Sequence, residues 1–104
     1  MGRRKKRGKP RLRIVGTGQG GEPIVNGDYI LYLRDSEGMP MSAINYFLKE
    51  EGMGFDVAGF IQACKANPNF DEERCLRLLK EDSDIALHER FEWLVSRIYA
   101  NDAA

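Results

Sequence analysis

The sequence predicts a mainly α-helical fold, a compact bundle of four to five short helices that follows a disordered basic arm. Two observations support this prediction. From Ser42 onwards, apolar residues recur three and four positions apart, a spacing that places them on one face of a helix. The first 13 residues are rich in basic side chains and have no such period. We therefore divide the chain into a disordered basic arm (residues 1–13), a glycine-rich linker (14–23) and a small helical domain (24–104).

The basic arm concentrates half of the chain's positive charge ahead of its first acidic residue, Glu22. The chain has 16 basic and 16 acidic residues, so acidic residues outnumber basic ones two to one after the arm. Eight flexible cations in 13 residues favour binding to a polyanion, since each phosphate that they neutralise releases counterions. The candidate nucleic-acid-binding residues are Arg3, Arg4, Lys5, Lys6, Arg7, Lys9, Arg11 and Arg13.

The glycine-rich stretch follows a strand candidate, Leu12–Val15. From Gly16 it has the spacing G-x-G-x-x-G of a dinucleotide-binding loop, which requires a helix to begin at the third glycine. Pro23 and the Asn-Gly pair after it would interrupt such a helix within a few residues. The stretch is therefore interpreted as a flexible linker, and no cofactor is predicted.

Residues 24–33 fit two structures. Asn26-Gly27 between apolar residues is a strong signal for a two-residue hairpin turn, which would pair residues 24–25 with 29–33. Alternatively, Asn26 or Asp28 caps a short helix that runs to about Asp35. We favour the helix because a strand of two residues is a poor partner, and the small N-terminal β-hairpin remains the alternative.

Four further helices are predicted from caps and stops. Ser42 begins one that Gly52 ends, with Phe47 on its apolar face, and Asp56 begins the next. Asn69, with Glu72 three positions later, resembles a capping box for the third of these four helices. The last and longest begins at Asp82 or Ser83. Its apolar stripe is Leu87, Phe91, Leu94 and Ile98.

Few residues offer catalytic or metal chemistry. Cys64 and Cys75 fall at apolar helix positions and are expected to be small core residues in a reducing compartment. A zinc site would need two more ligands, and His88 is the single histidine. We therefore expect no metal site and no enzymatic activity.

Acidic residues cluster near predicted helix ends. They are explained in part by the helix dipole, and they also offer a surface for a basic protein partner. Trp93 lies off the apolar stripe and would strengthen an interface if it is exposed. The candidate partner-binding residues are Glu50, Glu51, Asp71, Glu72, Glu73 and Trp93.

These observations lead to two functional hypotheses. The first is a non-catalytic nucleic-acid-associated protein whose arm binds the phosphate backbone of RNA or DNA while its acidic body binds a protein. The second is a small acidic binding or inhibitor protein, of the kind found among phage and mobile-element products, that acts through its helical body. No small-molecule substrate is expected. No membrane contact is expected either, because no run approaches the ~20 apolar residues of a membrane span. The expected location is cytoplasmic, or nuclear in a eukaryotic host.

Overall fold

Eight regular elements follow one another in the computed structural model, which describes residues 10–81 and 90–101. In chain order they are β1 (Ile14–Thr17), β2 (Pro23–Val25), α1 (Gly27–Asp35), α2 (Met41–Glu50), β3 (Gly54–Phe55), α3 (Val57–Ala66), α4 (Glu72–Leu79) and α5 (Arg90–Ala100). The predicted mainly α-helical bundle is confirmed. The predicted disorder of the arm concerns residues outside the described ranges, apart from residues 10–13.

A small three-stranded sheet lies at one side of the helices, with the strand order β1-β2-β3. The first two strands are antiparallel, with an irregularity between Ile14 and Gly16, whereas β2 and β3 are parallel. Leu12, Ile14 and Val15 are each about half exposed along the outer strand. The structure therefore differs from the predicted linker over residues 14–23, most of which form a hairpin.

Glycines that suggest a flexible linker in the sequence lie in the turn of this hairpin. The backbone N–H of Gly18 donates to the carbonyl of Glu22 at 2.8 Å, and Gly21 has a φ of +85°, which favours glycine. An N-terminal hairpin is thus present, but it consists of residues 14–25 rather than 24–33. The favoured helix after Asn26 is confirmed by α1.

Asn26 joins the hairpin to α1 and is only 3% exposed. It occupies the N-cap position without a capping hydrogen bond. Instead, its side-chain Oδ1 accepts from the backbone N–H of Arg13 at 2.7 Å, and its Nδ2 donates to the carbonyl of Arg11 at 2.9 Å. Its own backbone N–H donates to the carbonyl of Arg13 at 2.9 Å. Residues 11–13 are consequently bound to the body.

The predicted helix limits are partly confirmed. Gly52, with a φ of +69°, follows the end of α2, and Asp56 caps α3 by accepting from the N–H of Gly59 at 3.0 Å. Two predicted caps are wrong. Pro40 rather than Ser42 precedes α2, and Asp71 rather than Asn69 caps α4, since its Oδ1 accepts from the N–H of Arg74 at 2.8 Å.

Several helices contribute to the core, and α3 packs on α1, α4 and α5. The predicted core position of both cysteines is confirmed, as they are fully buried and not joined by a disulfide. The buried apolar residues are Val25, Ile30, Leu31, Met41, Ile44, Leu48, Phe60, Ile61, Cys64, Phe70, Cys75, Leu78, Leu79 and Val95.

Two helices present faces that differ from the predicted stripes. Val95 is the most deeply buried described residue of α5, while Phe91, Leu94 and Ile98 are half-buried beside it. Phe47 is 57% exposed, because α2 turns Met41, Ile44 and Leu48 to the core. Leu87 and the predicted start of the last helix lie outside the described residues. None of the described helices is long and apolar enough to cross a membrane.

Candidate nucleic-acid interface

The basic arm meets the body at Pro10. Arg11 and Arg13 are the two arm cations within the described ranges, and both are exposed. The guanidinium of Arg13 lies 4.0 Å from the carboxylate of Asp28, a long and solvated ion pair. Arg11 makes no salt bridge with any residue that the structure describes. The other six candidates lie outside the described residues: Arg3, Arg4, Lys5, Lys6, Arg7 and Lys9.

A groove of about 580 Å³ opens beside this junction. We call it the tyrosine groove, because two tyrosines of α1 form one of its walls. It is lined by Pro10, Arg11, Tyr29, Tyr32, Leu33, Glu37 and Met39. Its walls are thus mainly aromatic and aliphatic, with one cation and one carboxylate.

The two tyrosines are neighbours on one face of α1, three positions apart. Their ring centroids are 6.2 Å apart and their planes are inclined by 29°, a stacked arrangement. Both rings are half-buried, and Tyr29 also packs against the core. The helix therefore fixes the position of the aromatic wall.

Glu37 closes the groove just after the end of α1. The hydroxyl of Tyr32 donates to its Oε2 at 2.7 Å, and this hydrogen bond raises the pKa of Tyr32 above its ordinary value of 10.0. Gly38, with a φ of +75°, then reverses the chain so that the N–H of Met39 donates to the carbonyl of Leu33 at 3.1 Å. Tyr32 and Glu37 thus add polar groups to a groove that Leu33 and Met39 also line.

A cluster of arginines that was not predicted includes Arg34, in the last turn of α1. Arg34 donates to both carboxylate oxygens of Glu81, at 3.0 and 2.6 Å, and the N–H of Met41 donates to the same carboxylate at 3.2 Å. The hydrogen bond from Arg34 lowers the pKa of Glu81. The guanidinium of Arg74 lies 4.8 Å from the ring centroid of Phe70.

This cluster borders a second pocket of about 310 Å³, which Arg77 also lines. The contacts of this cluster are mainly structural, because Glu81, just after α4, binds both Arg34 of α1 and the N–H of Met41, the first residue of α2. Arg74 and Arg77 lie three positions apart on α4, so their common face could have been predicted. Their proximity to Arg34 is a tertiary contact that no local pattern contains.

The predicted acidic clusters lie on separate elements. Glu50 and Glu51 are exposed at the C-terminal end of α2, which packs mainly on α1 and β3. Asp71, Glu72 and Glu73 are exposed at the start of α4, which packs mainly on α3 and α5. The second cluster has a structural role, since Asp71 is the cap and acids in the first turn favour the helix dipole.

Exposed aromatic side chains form two further surface features. Trp93 is 59% exposed, with the Arg97 guanidinium 5.0 Å from the centroid of its ring. Tyr46 and Phe47 on α2 are also exposed, and their rings are in edge contact with centroids 6.2 Å apart. The sequence analysis singled out Trp93 but placed Phe47 in the core.

The cysteines form a buried group with Tyr99. A hydrogen bond with Cys75 and burial both raise the pKa of the Cys64 thiol, and burial raises the pKa of Tyr99. The hydroxyl of Tyr99 donates to the carbonyl of Phe70 at 3.0 Å. Within residues 10–81 and 90–101, no group of three or more His, Cys, Asp or Glu side chains is placed to hold a metal ion. His88 lies outside these ranges.

Comparison of the chain with protein-family models, with curated proteins and with solved structures finds no match. The tyrosine groove is lined by Pro10 and Arg11 of the arm. It combines an aromatic wall with the cation Arg11, which has no salt bridge among the described residues and follows a run of basic residues in the sequence.

Proposed function

We propose that this protein is a non-catalytic nucleic-acid-binding protein whose basic arm contacts the phosphate backbone. The observation that carries the proposal is the attachment of the arm to the body. Asn26 binds the backbone of Arg11 and Arg13, while their guanidinium groups remain exposed. The cations are therefore presented to a ligand from a fixed point on the molecule.

The charge of the arm supports a polyanion as its partner. Arg11 has no salt bridge among the described residues, and the contact of Arg13 with Asp28 is long and exposed. The acidic side chains described on the body thus leave these two cations available. Each phosphate that a cation neutralises adds about 0.7 to 0.9 to the dependence of log affinity on log salt.

A test compares three forms of the full chain. In the neutral-arm variant, Arg3, Arg4, Lys5, Lys6, Arg7 and Lys9 are replaced by glutamine. In the reordered-arm variant, residues 1–9 keep their composition but change their order. Binding to a labelled single-stranded RNA and to a DNA duplex is measured by fluorescence anisotropy at several salt concentrations.

We expect the natural and reordered arms to bind alike, because counterion release depends on the number of charges and not on their order. The neutral-arm variant should bind weakly, with a salt dependence smaller by about 4 to 5 in slope for its six lost cations. Equal binding by all three forms, or no binding by the natural protein at physiological salt, would contradict the proposal.

A second candidate function, a protein-binding or inhibitor role of the body, is favoured by the exposed aromatics. Tyr46, Phe47 and Trp93 expose apolar area of the kind enriched at interfaces. This candidate makes the opposite prediction for the arm. The neutral-arm variant would bind the protein partner as tightly as the natural protein does, whereas Trp93→Ala would weaken this binding.

A further inference from the structure

We propose that the tyrosine groove binds one unpaired base of a single-stranded nucleic acid, so that the protein prefers single strands to duplexes. This inference rests on the proposed function, since the arm must bring the phosphate backbone to the body. It goes further by assigning a site and a class of ligand. The site is defined by Arg11, Tyr29, Tyr32, Leu33, Glu37 and Met39.

The groove lies where the arm joins the body. Pro10 and Arg11 line it, and six of the eight arm cations precede Pro10 in the sequence. Arg3 is seven residues from Pro10, so an extended chain keeps every arm cation within about 25 Å of the groove. A strand whose phosphates are bound by the arm therefore has its bases within reach of the groove.

The walls of the groove suit the flat face of a nucleic-acid base. Every base has an aromatic face, and stacking on a protein ring binds it without regard to sequence. Tyr29 and Tyr32 supply a pair of rings whose centroids are 6.2 Å apart, beside the aliphatic side chains of Leu33 and Met39. The volume of about 580 Å³ lies within the range typical of small-ligand sites, about 300 to 1,000 Å³.

Polar groups of the groove offer partners for the rest of a nucleotide. Oε2 of Glu37 accepts from Tyr32, and no described residue donates a hydrogen bond to Oε1. A carboxylate accepts from the exocyclic amino group of cytosine, which uracil lacks. Arg11 supplies a planar cation suited to a phosphate. The groove thus offers separate partners for the face, the edge and the backbone of one nucleotide.

Duplexes do not fit this arrangement. Their bases are stacked on one another, and only their edges are accessible in the grooves. An aromatic wall in a groove of the body needs a base that has left the stack, as in single strands, loops and ends. The arm by itself would bind both forms, so a preference for single strands is the specific signature of the tyrosine groove.

The test uses Tyr29→Leu in the full chain, with Tyr29→Phe as the conservative variant. Tyr46→Leu is the matched control, because Tyr46 is exposed on α2 and is not among the residues that line the groove. Affinities are measured for a 12-nucleotide oligocytidine RNA, for the duplex that it forms with its complement, and for cytidine monophosphate. Thermal unfolding followed by circular dichroism establishes that each variant is folded.

We expect Tyr29→Leu to weaken single-strand binding about tenfold, the loss of one stacking contact, while duplex affinity and the salt slope stay unchanged. Tyr29→Phe and Tyr46→Leu should bind like the natural protein. Equal losses for single strand and duplex, or no loss at all, would overturn the inference. Binding of cytidine monophosphate as tight as that of the oligonucleotide would also overturn it.

A second variant keeps the inference testable if Tyr29→Leu fails to fold. Glu37 is exposed, so Glu37→Gln should leave the fold intact. The natural protein should bind oligocytidine more tightly than oligouridine, and Glu37→Gln should reduce this ratio. An unchanged ratio would overturn the role of the groove without affecting the arm, whose own failure would appear as loss of binding to every nucleic acid tested.

Discussion

Asn26 shows how a single side chain connects the arm to the body. It is almost fully buried, and its amide group satisfies both a backbone donor and a backbone acceptor of residues 11–13. A buried polar side chain of this kind is stabilising only while its partners are in place, because an unpaired polar group costs more than the hydrogen bond contributes. The position of Arg11 beside the tyrosine groove thus depends on one amide.

We predict that Asn26→Ala lowers the free energy of unfolding by about 1–3 kcal/mol, because the N–H of Arg13 and the carbonyl of Arg11 lose their partner. Urea denaturation followed by circular dichroism measures this change. The matched control is Asn69→Ala, at an exposed position where a change within about 0.5 kcal/mol is expected. Similar values for the two variants would contradict the role of Asn26.

The position of the tyrosine groove on the body depends on helix α1 and on its packing against α3. The helix carries both tyrosines of the groove, and its first residue, Gly27, touches the backbone of α3. A Cβ at this position would collide with the backbone nitrogen of Phe60 and lie 2.5 Å from the carbonyl oxygen of Asp56. Neither atom belongs to a flexible side chain, so the two helices would have to separate.

Gly27→Ala is therefore predicted to lower the free energy of unfolding by about 1–3 kcal/mol, the usual cost of overpacking. The same substitution at Gly16 is the control, because a Cβ there meets nothing within 4 Å. Thermal denaturation of both variants provides the comparison. If Gly27→Ala is as stable as Gly16→Ala, the close approach of α1 to α3 is wrong.

The paired Arg34 and Glu81 make the packing of α1 sensitive to acid. The hydrogen bond from Arg34 holds the pKa of Glu81 below its ordinary value of 4.5. Because the pKa of Glu81 is lower in the folded than in the unfolded protein, the ionised carboxylate stabilises the fold at a pH above its unfolded-state pKa. This stabilisation is lost as the pH falls through the folded-state pKa. The pair is about one-third exposed, so the contribution is modest, about 0.5–1 kcal/mol.

We expect Glu81→Gln to lower stability at pH 7 and to lose less stability than the natural protein between pH 5 and pH 3. The free energy of unfolding, measured by urea denaturation across this range, tests the prediction. Glu50→Gln, at an exposed carboxylate on α2, serves as the control and should parallel the natural protein. Parallel curves for all three proteins would exclude the Arg34 bond as a source of acid sensitivity.

For the whole molecule, local signals in the sequence predicted the helices well. Gly52 and Asp56 were identified because a stop and a cap depend on the residues next to them. Asn69 was predicted as a cap because Glu72 follows it at the spacing of a capping box, whereas the residue that caps α4 is Asp71. Phe47 was assigned to the core because helix periodicity does not say which apolar face has neighbours.

The sheet and the groove depend on contacts that no local pattern contains. Strand β2 pairs with β3, two residues that lie two helices further along the chain, and an irregularity interrupts the alternation of β1. Tyr29 and Tyr32 could be placed on one helix face from their spacing. Arg11 lies beside these tyrosines because Asn26 forms long-range hydrogen bonds with residues 11 and 13. The groove therefore could not be predicted from the sequence alone.

The outer strand β1 has a consequence for self-association. Its apolar side chains are about half exposed. Among the described residues, β1 pairs only with β2, so its other edge could pair with a strand of a second copy. Arg11 and Arg13 directly precede β1, and we expect their positive charge to oppose such pairing between two copies. Replacing both by serine should promote concentration-dependent association in light scattering, whereas Arg74→Ser with Arg77→Ser should not. A phosphate strand that neutralises these charges would in turn allow neighbouring molecules to pair edge to edge along it.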